Sequence, residues 1–242
     1  MYFCPKLSKM KKVFLGLSAV ALLAFTACEK KEAVEVKDAE EVAVGSETTA
    51  NLAVDTEVSN VNWRAFKIYE GETEEQGHHG TIKLQSGVVG IEDGQLVSGE
   101  FVIDAASLES MDLNESPEDK AKLDGHLRSA DFLDVEKYPT ATFKITAVNK
   151  IEGDYNTEIS GNLKLREDEK NITFKANTSL EGETFTMDSE EFTIDRKNFG
   201  IVFNPAKGAV IKDNVTLRVN IKANQGDAEV VEVDAADEVV AE

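Results

Sequence analysis

Residues 124–145 read DGHLRSADFLDVEKYPTATFKI, and the fold turns on how this stretch changes its period. Leu123 and Leu127 stand four apart, a helical spacing that turns one apolar stripe inward and leaves Asp124 and Arg128 in water. From residue 140 the chain alternates instead. Phe143, Ile145 and Ala147 share one face and Thr142, Lys144 and Thr146 the other, the pattern of a half-buried strand. Between helix and strand lies Asp131-Phe132-Leu133-Asp134-Val135, two large apolar side chains bracketed by carboxylates. Tyr138-Pro139 follows and holds the backbone extended. A connector of this composition has to pack as well as turn.

Upstream, Ser116-Pro117-Glu118-Asp119 combines an N-cap serine, a proline suited to the first helical turn and two acids, so one helix is expected from Pro117 to Arg128. Everything around it has the texture of strands. Apolar and polar residues alternate over 54–68, 81–91 and 95–104 before the helix, then over 140–151, 155–165, 171–180, 184–194 and 210–223 after it. Short polar links join them, among them Glu92-Asp93-Gly94, Glu152-Gly153-Asp154, Arg166-Glu167-Asp168-Glu169 and Glu181-Gly182, which makes successive strands antiparallel neighbours. Eight such strands and one inserted helix point to a mainly β fold, an eight-stranded antiparallel lipocalin-like barrel; a β-sandwich is the alternative.

The ends differ from this block. Lys6, Lys9, Lys11 and Lys12 precede an apolar run over 13–25, too short to span a bilayer and proportioned like a secretion signal. Leu23-Ala24-Phe25-Thr26-Ala27-Cys28 resembles a bacterial lipobox, which implies cleavage of residues 1–27 and acylation of Cys28; an ordinary cleaved signal is the alternative. Each buried acyl methylene contributes about 0.8 kcal/mol, so two or three chains on Cys28 make the membrane a permanent partner. Residues 28–50 are a low-complexity mixture of Glu, Lys, Val and Ala and read as a disordered linker. Residues 225–242 carry seven acids and no base and read as a disordered acidic tail. The folded block is then 51–224, large enough for one core. Cys4 and Cys28 are the only cysteines, so that block has no disulfide to lean on.

The formal net charge is −20, and losing the four signal lysines would take it to about −24. A nucleic-acid binder needs a basic footprint to displace counterions, so no nucleic-acid partner is expected.

Several motifs carry a resemblance to a known family: Val54-Asp55-Thr56-Glu57-Val58-Ser59, Phe101-Val102-Ile103-Asp104-Ala105-Ala106-Ser107, the run GHLRSADFLDVEKYPTATF at 125–143, and Asp195-Arg196-Lys197-Asn198-Phe199-Gly200-Ile201. On these residues the chain resembles the YceI-like proteins, a lipocalin-like barrel family. With Gly77-His78-His79-Gly80 and Val61-Asn62-Trp63 it is similar to the bacterial lipoprotein form of that family. The hairpin Arg166-Glu167-Asp168-Glu169 departs from the glycine-containing turn common there. The resemblance implies an elongated apolar cavity that holds a polyisoprenoid or other long-chain lipid without chemistry on it. The inward-facing candidates for contacting such a ligand are Phe101, Ile103, Phe132, Phe143, Ile145, Leu163, Phe174, Phe185, Phe192, Phe199 and Phe203. The same bulky residues would fill the barrel if no space were left between them.

No catalytic set, metal site or cofactor is expected. A hydrolase needs a nucleophile, a base and an orienting acid, and no Gly-x-Ser-x-Gly elbow occurs. Asp131, Asp134, Asp195 and Arg196 suit capping and ion pairing at a barrel mouth. His78 and His79 lie near Glu72, Glu74 and Glu75, but adjacent strand residues face opposite ways, which favours a hydrogen-bonding or loop-end role. For His126 a structural hydrogen bond is the first reading and a ligand headgroup contact the second. Two functions remain open: an anchored carrier or sequestering protein for an isoprenoid-like amphiphile, and a non-catalytic, stress-associated envelope scaffold with a filled barrel.

Overall fold

In the computed structural model, residues 32–225 are described. The signal-like segment, Cys28 and the tail beyond Gln225 lie outside the described residues.

Among the described residues, eleven strands and one α-helix follow in the order β1 (Ala50–Val54), β2 (Asn60–Tyr69), β3 (Gln76–Glu92), β4 (Gln95–Asp104), β5 (Glu109–Ser110), α1 (Pro117–Arg128), β6 (Thr140–Lys150), β7 (Thr157–Leu165), β8 (Asp168–Glu181), β9 (Thr184–Ser189), β10 (Phe192–Asp195) and β11 (Ala209–Asn224). The sheet closes through β2, β3, β4, β6, β7, β8, β9 and β11, with β11 returning to β2, and every pairing is antiparallel. This is the expected eight-position barrel.

Three of the eight positions are filled by broken strands. The run expected over 54–68 is interrupted at 55–59, where Ser59 N–H donates to the Asp55 carbonyl; β1 continues the place of β2 between β3 and β11. The run over 184–194 breaks at Glu190, whose N–H donates to the Lys175 carbonyl, leaving β9 and β10 as successive partners of β11. β4 ends in a 3₁₀ turn at Ala105–Ser107, capped by Asp104 Oδ1 on the Ala106 N–H, and β5 then pairs with the start of β3. Apolar alternation passes through such breaks because the side chains on either side still face one core.

A further irregularity corrects the reading of β6. Its register with β7 shifts between Ile145 and Ala147, so Val148 rather than Ala147 packs on the core beyond the bulge. Thr146 faces outward and accepts from Asn171 Nδ2 at 2.9 Å.

The helix has the expected limits, but its wet face is not wet. Asp124 is buried, and its Oδ1 accepts the Ser110 N–H at 2.8 Å, a donor on the outer side of β5. Arg128 is half-buried and donates to the Leu108 carbonyl. The four-residue spacing located the apolar stripe; it did not register that β5 would bring an unpaired donor to the neighbouring position.

The larger correction concerns the linker. Residues 34–43 form a strap docked on the barrel, with Val34, Val36 and Ala43 packed against the core. Lys37 and Asn171 exchange backbone hydrogen bonds, Val34 N–H reaches the Thr193 carbonyl, and Ala43 N–H reaches the Ile145 carbonyl beside the bulge. Buried Asn162 completes the contact by accepting from Glu40 N–H at 3.0 Å and donating to the Glu40 carbonyl at 2.7 Å. Composition marked this stretch as poor in core formers, but the strap is held chiefly through its backbone, which composition does not report.

Asn162→Ala strands both polar groups of Glu40, so stability should fall by about 1–3 kcal/mol. Hydrogen exchange should quicken over 34–43 and stay unchanged in α1.

Candidate ligand-binding cavity

A cavity of about 200 Å³ lies inside the barrel. One buried water needs only ~10–15 Å³ on the same measure, so the interior is open on the scale of a ligand chain. The phenylalanines do not fill it.

The inward alternation of four positions builds one wall. Phe101 on β4, Phe143 on β6, Phe174 on β8 and Phe192 on β10 follow one another, with ring centroids 6.4, 5.6 and 4.6 Å apart, the last pair stacked at 6°. Ile103 and Leu163 join them. At the end that carries α1, Phe132 and Leu133 of the connector and Leu127 of the helix line the space. The connector's course explains why. Leu133 N–H donates to the Leu127 carbonyl and Val135 N–H to the Arg128 carbonyl, folding the chain back beneath the helix, and Asp134 takes a left-handed φ of 50°. The Pro139 carbonyl then accepts the Ala105 N–H, setting the entry to β6.

Of the residues expected to contact a ligand, seven line the cavity: Phe101, Ile103, Phe132, Phe143, Leu163, Phe174 and Phe192. Four do not. Ile145 and Phe185 are fully buried in the core beyond its inner end, and Phe199 is sealed in the 3₁₀ turn Arg196–Phe199. Phe203 is half-exposed and packs outside, its ring tilted at 58° and 5.4 Å from that of Phe132. The missed walls are Val61, Trp63 and Ala65 on β2 and Val215, Leu217, Val219 and Ile221 on β11. Their alternation was the available signal, but it marks an inward face without marking where that face meets open space.

Arg196 and Lys212 are the charged groups of the lining. Arg196 is 3% exposed and spends its donors on protein: Nε to the Lys212 carbonyl at 3.2 Å, Nη1 to the Ile201 carbonyl at 2.6 Å, Nη2 to the Ile211 carbonyl at 3.4 Å and to Asp213 Oδ1 at 3.1 Å. It ties the loop after Gly200 to the start of β11. Lys212 Nζ pairs with Glu75 Oε1 at 3.1 Å. Arg166, in the two-residue turn between β7 and β8 with φ 58°, donates from Nη1 to the carbonyls of Phe132 and Gly200, both at 3.2 Å. The glycine-free turn thus has a use: its side chain joins the connector to the loop.

The histidines lie outside this space. His126 Nε2 hydrogen-bonds Asp131 Oδ2 at 3.1 Å, and its ring meets those of Phe132 and Phe203 edge-on at 5.0 and 5.1 Å. His78 and His79 belong to β3 rather than to a loop; Asp112 binds the His78 Nδ1 at 2.7 Å and accepts the His79 N–H at 3.1 Å. Burial alone would raise the Asp112 carboxyl, but these hydrogen bonds outweigh it and hold it below its ordinary value. Among the described residues no group of three or more His, Cys, Asp or Glu is placed to hold a metal ion.

Residues 52–223, from within β1 to the penultimate residue of β11, match the family model of the YceI-like domain. The chain belongs to the YceI-like family. It is 42% identical over 90 residues to a UPF0312 protein of Pseudomonas putida, covering 35% of this chain and 46% of that protein. It is 45% identical over 74 residues to Protein YceI of Salmonella arizonae, covering 31% and 35% respectively. The chain thus spans less than half the length of these curated relatives. Two solved structures share the fold. Burkholderia cenocepacia BcnA gives a TM-score of 0.50 at 18% identity, covering 71% of this chain and 99% of that one. A polyisoprenoid-binding domain from Saccharophagus degradans gives 0.50 at 15% identity, with 76% and 99% covered.

Within this YceI-like barrel, Arg196→Met leaves three carbonyls without this donor and Asp213 with Lys197 alone, and urea unfolding should show a loss of about 3 kcal/mol. Asp112 has a lowered folded pKa, so its contribution is present above its ordinary value of 3.8 and is lost as pH falls through the lower folded value. Asp112→Asn should flatten that acid limb of the stability curve.

Proposed function

We propose that this protein holds one long-chain, isoprenoid-like amphiphile in its barrel and acts as a carrier or sequestering protein at the cell envelope, without chemistry on the ligand. The observation that carries the reading is the cavity, whose wall is apolar apart from Arg196 and Lys212. An apolar space of this kind gives water no partners and favours hydrocarbon. Enclosing about 500 Å² of ligand apolar surface would favour binding by roughly 12 kcal/mol, before ordering costs. The tail occupies the phenylalanine-lined length and the polar head stays at the end framed by Leu127, Phe132 and Leu133, where Arg196 and Lys212 are already paired with Asp213 and Glu75. A polyisoprenoid-binding domain among the structures that share the fold is consistent with this choice of ligand.

The lipobox-like run ending at Cys28 supports an anchor, with acylated Cys28 holding the barrel at the periplasmic face of a membrane or at the cell surface. A filled scaffold is the weaker reading, because bulky side chains leave the barrel axis open.

Native mass spectrometry of protein purified gently from membranes should show a bound organic species that solvent extraction removes. Ala141→Phe, which projects a ring into the cavity from β6, should lower occupancy at least tenfold in a barrel that still folds. Protein that carries nothing and takes up no added long-chain lipid would overturn the proposal.

A further inference from the structure

The phenylalanine expected to touch a ligand but found beyond the cavity has a different place in the same design. Along each strand, inward-facing side chains recur every second residue, so the barrel interior is built in layers. Met187 on β9, Phe174 on β8 and Ile221 on β11 belong to the cavity wall. Two residues further toward the opposite end the same strands present Phe185, Ala176 and Ala223, all of them fully buried. β6 does likewise, passing from Phe143 in the wall to Ile145 at 0% exposure. Opposite Phe185 stand Leu180 on β8 and, on β11, Ala223, whose small side chain leaves room for the ring. On its far side, Phe185 borders a second, outer pocket of about 370 Å³ between the ends of β4, β6, β8 and β9.

We infer that Phe185 is the floor that sets how long a chain the barrel accepts, separating the ligand cavity from the outer pocket. The inference rests on the binding function proposed above and adds a length limit to it. A two-residue layer rises about 6.6 Å along a strand, or about 5 Å along an axis from which strands tilt by 35–45°. That is the length of about four methylenes. Removing the ring opens one layer and joins the cavity to the outer pocket, so longer chains fit without bending back.

Primary n-alkanols of increasing length, displacing a fluorescent fatty-acid probe from the purified full chain, would read this limit. In the wild type, each added methylene should strengthen binding about fourfold up to a break, beyond which affinity levels or falls. In Phe185→Ala the break should move to chains longer by about four carbons, with affinities below the original break unchanged within about twofold. Phe185→Leu, which keeps most of the packing, should move it by a smaller number and decides the matter if the alanine variant fails to fold. A break at the wild-type length in a folded variant overturns the floor assignment while leaving the binding reading intact. No binding of any alkanol or of the probe by the wild type removes the binding reading itself.

Discussion

The ladder closed by β11 is the constraint on which the rest depends. This sixteen-residue strand pairs with β1, β2, β9 and β10, taking both ends of the sheet and leaving no free edge between them. An open eight-position sheet of this composition would expose a row of backbone donors and acceptors together with an apolar face; closure satisfies both at once. It also fixes the interior. Once the circumference is set by eight positions, side chains meet across the axis only where they are large enough, and their size at each layer decides between core and cavity.

That decision differs along the axis. Beyond the inner end of the cavity, Ile145, Ile159, Ala176, Phe185 and Ala223 are all buried in one core. Nearer α1 the wall carries Phe101, Phe143, Phe174 and Phe192, yet their rings lie against one another around the circumference, the last pair stacked and the others tilted, instead of crossing it. Ring-to-ring contact along the wall is favourable in itself and keeps the axis clear. The α1 end is then closed around by backbone tethers. Arg166 donates to the Phe132 and Gly200 carbonyls and Arg196 ties the Ile201 carbonyl of the following loop to the start of β11, and the connector folds back under the helix on hydrogen bonds to Leu127 and Arg128.

Family, fold and the helix with its connector were legible in the sequence because they rest on local signals: strand alternation, turn residues at Asp93-Gly94 and Gly182, proline at the first helical position, and long motifs spread over the barrel. The strap was not. Val34, Val36 and Ala43 are too few to mark a core, and the contact is made by backbone groups meeting Asn162 and Asn171 from more than a hundred residues away. The burial of Asp124 is hidden for a similar reason, since it depends on β5, a two-residue strand with no periodicity to detect.

The candidate site divides along the same line. Alternation determined which face of each strand turns inward, and Phe101, Phe143, Leu163, Phe174 and Phe192 on those faces line the cavity. It could not rank inward residues by depth. Phe185 and Phe192 look alike as phenylalanines on neighbouring strands, yet one lies in a sealed layer and the other lines open space. The difference comes from register, bulges and the side chains that arrive from other strands at the same height. The sequence by itself determined the face, the closure and the family; only the tertiary structure decided where the barrel is hollow, because empty space is a property of the residues that meet and of none of them alone.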